Sequence, residues 1–311
     1  MAATLAIETR ALTRVFRHKR AVDGLDMRVP AGEIYGFVGR NGAGKSTTMK
    51  MLCGLTTPTS GEALVFGRPL GAARETGRSV DALIEGPGVL PGLTARENLM
   101  TKAIACGIVD ARRRCERLLE VVGLTEPADR RAKGFSLGMR QRLGIALALL
   151  TSPDLLLLDE PFNGLDPEGT RQMRGLLVRL NRERGTTIVV SSHVLDQLDR
   201  MVTRFGVIRD GRMVREMGVE EVRAECADSL VVRTADPSAA LVLLEERFPA
   251  LGLTVQPDRS IAVTGAYDAA AVSRALHDAD QTVLELSQRS RDIEDYFVRL
   301  MEGEEGGDGR A

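Results

Sequence analysis

The chain has 311 residues, of which 43% are hydrophobic, which is enough to bury the core of one large or two moderate domains. The N-terminus reaches Glu8 and Arg10 before any long apolar segment, and the later apolar runs fall far short of the ~20 residues that cross a bilayer. We therefore expect no signal peptide and no membrane anchor, and a cytoplasmic chain.

Charge is unevenly distributed along the chain, although the net charge is only −1. Residues 1–218 carry 33 basic and 24 acidic side chains, whereas residues 219–311 carry 9 and 19. This change predicts a domain boundary near Gly218 and makes attraction between the two parts plausible. The basic residues are dispersed and the chain has no Trp and only 4% aromatic residues, so a nucleic-acid partner is not expected.

A phosphate-binding loop is predicted after three short strands, at Leu5–Thr9, Met27–Val29 and Ile34–Val38. The stretch from Gly39 to Thr47 matches G-x-x-x-x-G-K-[ST] and precedes a helical run from Ser46 to Leu55. A glycine-rich turn by chance is the alternative, but the strand-turn-helix setting favours a P-loop whose backbone N–H groups bind phosphate. The predicted ATP-binding residues of this loop are Gly39, Arg40, Asn41, Gly42, Ala43, Gly44, Lys45, Ser46 and Thr47.

A helical region is predicted from about residue 90 to residue 150, after a strand at Ala63–Phe66. Thr94 and Glu97 form a capping box at the start of its first helix. A second helix is predicted near 110–122 and a third after Ser136.

Two carboxylates, Asp159 and Glu160, follow the apolar run Leu155–Leu158, which suits a strand buried on both faces of a parallel sheet. A helix at 168–184 and a strand at 186–190 continue the alternation, and His193 follows that strand. Since ligands collect at the carboxyl ends of parallel strands, we expect these groups to face the P-loop. Asp159 and Ser46 are then candidate Mg²⁺ ligands, and Glu160 a candidate base for the attacking water. A polar turn and a structural histidine are the alternatives.

The stretch Phe135-Ser-Leu-Gly-Met-Arg-Gln-Arg142 closely resembles the signature motif of ABC ATPases. The resemblance covers roughly residues 5–215 and implies an α/β cassette with a mixed sheet, a RecA-like core and a helical subdomain. It also implies that Phe16 stacks on adenine, that Asn163-Gly-Leu-Asp166 is the D-loop, and that His193 is the switch histidine. In this family the signature of one subunit closes over the ATP of another, which implies a head-to-tail homodimer. The signature residues that would act across that dimer are Ser136, Leu137, Gly138, Met139 and Gln141.

Within the family, residues 82–99 look like those of bacitracin and lantibiotic exporters, with Glu85 where most members have glutamine. We expect Glu85 to be a third Mg²⁺ ligand, or else to face solvent on a flexible Gly86-Pro87-Gly88 joint. The resemblance implies a separately encoded membrane permease as partner and a position on the inner face of the cell membrane. A soluble ABC ATPase with a non-transport partner is the alternative, although such proteins usually carry two cassettes or a long coiled coil. The signature opposes a P-loop kinase or GTPase.

Residues 219–302 predict an accessory α+β domain with the order β-α-β-β-α-β, which fits a small ferredoxin-like unit. Its strands are expected at 229–234, 253–256, 260–264 and 282–285, and its helices at 237–248, 269–280 and 291–300. The last helix is similar to the ending of daunorubicin-type resistance ATPases. The unit either only stabilises the chain or supports the dimer, and residues 303–311 are expected to be disordered.

Overall fold

The computed structural model describes residues 4–70, 78–198, 200–226, 228–289 and 292–303. The chain divides into two compact units, and the boundary along the chain falls between Val219 and Glu220. Part of the predicted tail, residues 304–311, lies outside the described residues. In the part of the chain that is described, no helix is both long and apolar enough to span a membrane.

The first unit is built on two sheets. An antiparallel sheet has the order β2-β1-β4-β5, and a six-stranded sheet has the order β10-β9-β3-β8-β7-β6. The strands are β1 Leu5–Phe16, β2 Lys19–Pro30, β3 Ile34–Val38, β4 Ser60–Val65, β5 Arg68–Pro69, β6 Val80–Leu83, β7 Leu155–Asp159, β8 Thr187–Ser192, β9 Arg204–Arg209 and β10 Arg212–Gly218.

The five strands from β9 to β6 in the six-stranded sheet run parallel, and only the edge pair β9–β10 is antiparallel. Every residue of β3, β7 and β8 is buried, as expected for strands covered on both faces. Gly206 in β9 leaves space for Tyr35 of β3, since a Cβ there would lie 1.8 Å from Tyr35 Oη. That hydroxyl donates to Glu216 Oε1 at 2.6 Å, and burial, followed by the Glu216 charge, raises the Tyr35 pKa well above its usual value.

Three helices form the region predicted as a helical subdomain. The capping box of Thr94 and Glu97 is confirmed, because each side chain bonds the backbone N–H of the other. The helices of the first unit are α1 Lys45–Leu52, α2 Ala95–Ala105, α3 Ala111–Val121, α4 Leu137–Ala148 and α5 Pro167–Arg184, and α6 Val219–Glu225 begins at its last residue.

The second unit has the predicted β-α-β-β-α-β order, followed by one more helix. Its sheet has the order β12-β13-β11-β14, and all three adjacent pairs are antiparallel. Its core is apolar and includes Leu230, Val232, Leu244, Ile261 and Leu276. The elements are β11 Ser229–Thr234, α7 Pro237–Arg247, β12 Gly252–Val255, β13 Ile261–Thr264, α8 Ala269–Asp278, β14 Val283–Arg289 and α9 Ile293–Glu302.

Several predicted boundaries were wrong. Strand β1 continues past Thr9 to Phe16, because it pairs with both β2 and β4 across bulges. Helix α1 ends at Leu52 instead of Leu55, because Gly54 adopts a left-handed φ of 71° just beyond it. Strand β4 stops at Val65, one residue before the left-handed Phe66.

Candidate active site

The P-loop runs from the end of β3 into α1, as the sequence predicts. Gly42 and Gly44 have left-handed φ values of 83° and 114°, and a Cβ on Gly44 would lie 2.6 Å from the Ala21 carbonyl oxygen. A Cβ on Gly39 would lie 2.5 Å from the Ile208 carbonyl oxygen. No side chain caps the N-terminus of α1 within this described loop, so its first backbone N–H groups can bind an anion.

Lys45 is the first residue of α1, and its side chain is only 6% exposed. Its ammonium group donates to the Gly39 carbonyl at 2.6 Å and to the Arg40 carbonyl at 3.3 Å. It also lies 3.4 Å from Glu160 Oε1. The lysine charge is therefore held inside the loop by backbone oxygens and one carboxylate, where phosphate oxygens could take their place.

Glu160 directly follows β7 and has a left-handed φ of 49°, which is uncommon for a residue with a side chain. Its Oε2 lies 2.9 Å from His193 Nδ1, so the histidine that follows β8 meets the acid that follows β7. Its Oε1 is buried, lies 3.4 Å from the Lys45 ammonium and accepts no hydrogen bond within the described residues. A carboxylate oxygen that accepts no hydrogen bond can take a proton from a water molecule.

Asp159 is held by Ser191, a residue to which the sequence argument gave no role. The Ser191 hydroxyl donates to Asp159 Oδ1 at 2.6 Å and accepts from the Glu160 backbone N–H at 3.0 Å. Asp159 and Ser191 are register partners on the parallel strands β7 and β8. The signal in the sequence was the position of Ser191 at a strand end, but the pairing of the two strands could not be read there.

The predicted metal ligands come from three segments of the chain, at the start of α1, at the end of β7 and after β6. Within the described ranges, no three His, Cys, Asp or Glu side chains come together as a metal site. Asp159 is 9% exposed and Ser46 is half-buried at the start of α1, so both supply the hard oxygen atoms that suit Mg²⁺. The Glu85 carboxylate instead pairs with Lys50 of α1, and the Glu85 side chain is 64% exposed.

Phe16 lies at the end of β1, and its side chain is 44% exposed. The guanidinium of Arg14 stacks on its ring, 4.5 Å from the ring centroid, and donates to the Thr57 carbonyl at 2.6 Å. The ring is thus available for stacking but already has one cationic neighbour, which sequence reasoning did not anticipate.

The predicted signature forms the start of α4. Ser136 is the N-cap, and its hydroxyl accepts from the Met139 backbone N–H at 3.2 Å. Leu137 is exposed, Gly138 and Met139 are half-buried, and Gln141 is buried.

The D-loop contacts the signature within the same chain. A Cβ on Gly164 would lie 2.0 Å from Leu137 Cδ2, and a Cβ on Gly138 would lie 3.1 Å from Leu165 Cδ2. Asp166 is exposed, and its carboxylate caps α5 by accepting from Gly169 N–H at 2.9 Å. The two segments are therefore packed together by close contacts that need glycine.

Comparison with known proteins identifies similar chains. A family model described as ABC transporter matches residues 22–163. The chain is 39% identical to the bacitracin transport ATP-binding protein BcrA of Bacillus licheniformis, over 96% of this chain and 97% of the relative. It is 37% identical to the daunorubicin/doxorubicin resistance ATP-binding protein DrrA of Streptomyces peucetius, over 93% of this chain and 86% of the relative.

Solved structures with the same fold are ATP-binding cassettes. Cassette cbiO1 from Clostridium perfringens, part of the ABC transporter complex cbiONQ, matches with a TM-score of 0.64 and 25% identity. The match covers 79% of this chain and 96% of that one. The cassette MJ0796, in a dimeric post-hydrolysis state bound to ADP and Pi, matches with a TM-score of 0.63 and 25% identity over 68% of this chain and 98% of that one.

Proposed function

The chain belongs to the ATP-binding proteins of ABC transporters, and on this premise we propose that it hydrolyses ATP to drive export of a drug or peptide antibiotic. The observation that carries the hydrolytic part is the meeting of Lys45, Glu160 and His193 at the carboxyl edge of the parallel sheet. The export part is supported by the relatives, which are named for bacitracin transport and for daunorubicin resistance.

The P-loop residues bind the phosphates of ATP in this proposal. The backbone N–H groups from Gly39 to Thr47 surround the phosphates, and Lys45 exchanges its backbone carbonyl partners for phosphate oxygens. Glu160 takes a proton from the attacking water through Oε1 once Lys45 has turned to the phosphates, while His193 Nδ1 holds the other carboxylate oxygen. Phe16 stacks on adenine.

Mg²⁺ fits this site through the oxygen atoms of Ser46 and Asp159, with Glu85 as a third candidate ligand that would have to leave Lys50. When bound, the metal would offset negative charge on the phosphates. Ser191 keeps one oxygen of Asp159 in place and leaves the other for the metal or its water.

A homodimer formed through two ATP molecules completes the proposal. Ser136 and Gly138 lie at the N-terminus of α4, which can bind the phosphates held by a second copy. The solved dimer of the similar cassette MJ0796 supports this arrangement. Asp166 and the rest of the D-loop contact the signature and would move with it.

A membrane permease encoded separately is the proposed partner, and the chain would associate with it at the inner face of the cell membrane. This can be tested by co-expressing the full chain with the membrane protein encoded beside it. We expect the chain to sediment with membranes only when that protein is present, and its ATPase activity to change on assembly.

Co-expression of Glu160→Gln is the matched control, because it should still sediment but not hydrolyse ATP. A chain that hydrolyses ATP but never sediments with the membrane protein would favour the alternative, a soluble ABC ATPase with another partner.

A further inference from the structure

A cavity of about 270 Å³ lies between α3 and α5 in the first unit. Among the described residues, none of those proposed to bind or hydrolyse ATP lines it. Its lining instead contains five arginines from the two helices, against two carboxylates, Asp110 and Glu183. The arginines are Arg113, Arg114, Arg117, Arg179 and Arg184.

Buried leucines also line this arginine cavity. They are Leu118 from α3, Leu176 from α5 and Leu149, whereas all of the arginines except Arg114 are exposed. The cavity lining therefore combines buried leucines with exposed guanidinium groups. A concave site with an apolar base and convergent polar groups is typical of ligand pockets.

Ser152 holds two of the guanidinium groups close together. Its hydroxyl accepts from Arg114 and also from Arg184, the latter at 3.1 Å. Ser152 has a left-handed φ of 51°, which is strained for a residue with a side chain. One neutral hydroxyl thus accepts hydrogen bonds from two positively charged groups, and it cannot offset the repulsion between them.

The other three guanidinium groups are those of Arg113, Arg117 and Arg179. In the described ranges of the chain, no ion pair joins any of the five arginines to an Asp or Glu side chain. An excess of positive charge in a concave site concentrates anions, and the guanidinium fork matches the geometry of phosphate oxygens.

We propose that this arginine cavity binds a phosphate-bearing anion through Arg113, Arg117 and Arg179, with Arg114 and Arg184 adding charge from Ser152. A second cavity of about 370 Å³ shares Val121, Leu176 and Arg179 with it, so the remainder of a larger ligand has an adjoining surface. The phosphate belongs either to a soluble polyphosphate or to the headgroup of an anionic phospholipid, and the two sources present the same chemistry to the arginines.

Pyrophosphate titration of the full chain by calorimetry tests the soluble source. We expect two classes of site in wild type, one lost in Lys45→Ala and the other lost in Arg113→Gln/Arg117→Gln. Each arginine removed should weaken binding at the second class about ten-fold, because charge-assisted hydrogen bonds are stronger than neutral ones, so the double variant should bind about a hundred-fold more weakly and the class should no longer be detected. Arg112→Gln/Arg182→Gln is the matched control, since it removes the same charge from exposed positions of α3 and α5 outside the cavity.

Vesicle sedimentation tests the lipid source, with phosphatidylcholine vesicles compared with vesicles that also contain phosphatidylglycerol. Binding to the anionic vesicles that is lost in Arg113→Gln/Arg117→Gln but kept in the control assigns the headgroup. The proposal is overturned if wild type shows neither a second class of pyrophosphate site nor binding to anionic vesicles. It is also overturned if both double variants lose binding equally, because binding would then depend on general surface charge. Should the double variant fail to fold by circular dichroism, Arg179→Gln alone is measured in the same assays, with Arg182→Gln as its control.

Discussion

The six-stranded sheet of the first unit and the four-stranded sheet of the second unit place their polar groups in different ways. In the six-stranded sheet β3, β7 and β8 run parallel, so their carboxyl ends share one edge. The P-loop, the Asp159–Glu160 pair and His193 follow those three ends. In the four-stranded sheet of the second unit every adjacent pair is antiparallel, so neighbouring strands end on opposite edges.

This difference separates residues available for chemistry from residues used for folding. At the parallel edge, the buried Oε1 of Glu160 accepts no hydrogen bond from the described residues and lies 3.4 Å from the Lys45 ammonium. In the second unit, Asp258 uses both carboxylate oxygens locally, on Ser260 and on Arg233. We therefore expect substitutions at the parallel edge to change ATP hydrolysis, and substitutions in the antiparallel sheet to change stability only.

Glu160→Gln should have the largest effect on hydrolysis. The amide cannot accept a proton from water, so we expect ATP turnover to fall by about 10²–10⁴-fold, while ATP still binds and the ATP-bound dimer accumulates. ATPase assays and size-exclusion chromatography with MgATP measure both. Glu168→Gln on the exposed start of α5 is the control, and near wild-type turnover in Glu160→Gln would remove the glutamate from the proposed role.

Lys45→Ala should act on nucleotide binding. Loss of a charge-assisted contact with phosphate is expected to weaken ATP affinity by about ten- to a hundred-fold. Equilibrium titration with a fluorescent ATP analogue measures it. Lys102→Ala also removes a lysine with an ion-pair partner, Asp81, and should leave the affinity unchanged. Equal affinities for wild type and Lys45→Ala would contradict the phosphate role of the loop.

Ser191→Ala should reduce hydrolysis less, by about ten-fold, since a lost hydrogen bond to a charged group is worth roughly one order of magnitude. The substitution leaves Asp159 and the Glu160 N–H without their shared partner. Ser192→Ala is matched, because that buried serine bonds Val194 and Gln197 instead. Thermal unfolding and ATPase assays are compared for both, and equal losses of activity would show that only packing is involved.

Glu85→Gln should shift the Mg²⁺ dependence of hydrolysis by a few-fold toward higher concentration. A carboxylate attracts the metal more strongly than a neutral amide oxygen, provided that Glu85 leaves Lys50 when MgATP binds. Lys50→Gln removes the competing ion pair and should shift the curve the other way. Superimposable curves for wild type and Glu85→Gln would mean that Glu85 is not a metal ligand.

Asp258→Asn should leave hydrolysis at neutral pH unchanged and alter only acid stability. Hydrogen bonds from Ser260, and then from Arg233, lower the Asp258 pKa from 3.8 to about 2. A carboxyl group whose pKa is lower in the folded than in the unfolded chain stabilises the fold at any pH above its unfolded pKa. This contribution is lost as the pH falls through the folded pKa. Thermal unfolding of the full chain from pH 5 to pH 2 should therefore show a smaller acid-induced loss in Asp258→Asn than in wild type.

Glu245→Gln, an exposed substitution on α7, should behave like wild type in this acid titration. A clear fall in the ATPase activity of Asp258→Asn at neutral pH would contradict the expectation that substitutions in the second unit's sheet change stability only.

Sequence patterns predicted an element correctly where the residues that begin and end it lie next to it in the chain. Strands β3 and β11 have the predicted bounds, because apolar runs there are bounded by turn residues. Strand β14 was predicted to stop at Glu285 but continues to Arg289, since Ser229 of β11 pairs with Arg289 at its far end. Polar residues after Leu286 hide this extension, which depends on a partner more than fifty residues away in the chain.

In the candidate site, too, local motifs could be predicted and contacts between distant residues could not. The P-loop, Asp159, Glu160 and His193 could be named from motif spacing, and the contact of Glu160 with Lys45 and His193 agrees with the expected edge. Ser191, Arg14 and Lys50 were not predicted as partners of Asp159, Phe16 and Glu85. Those contacts join side chains from different elements, and no periodicity in the sequence records them.

The backbone conformation of Glu160 makes stability and activity favour different residues at this position. Its left-handed φ of 49° is a conformation that glycine adopts without strain and asparagine adopts more easily than glutamate. Redesign for thermal stability alone would therefore favour glycine or asparagine at position 160, and the stabilised product would have lost the proposed base. An engineer who raises the melting temperature of this chain should hold that position fixed, because a screen without an activity readout rewards its loss.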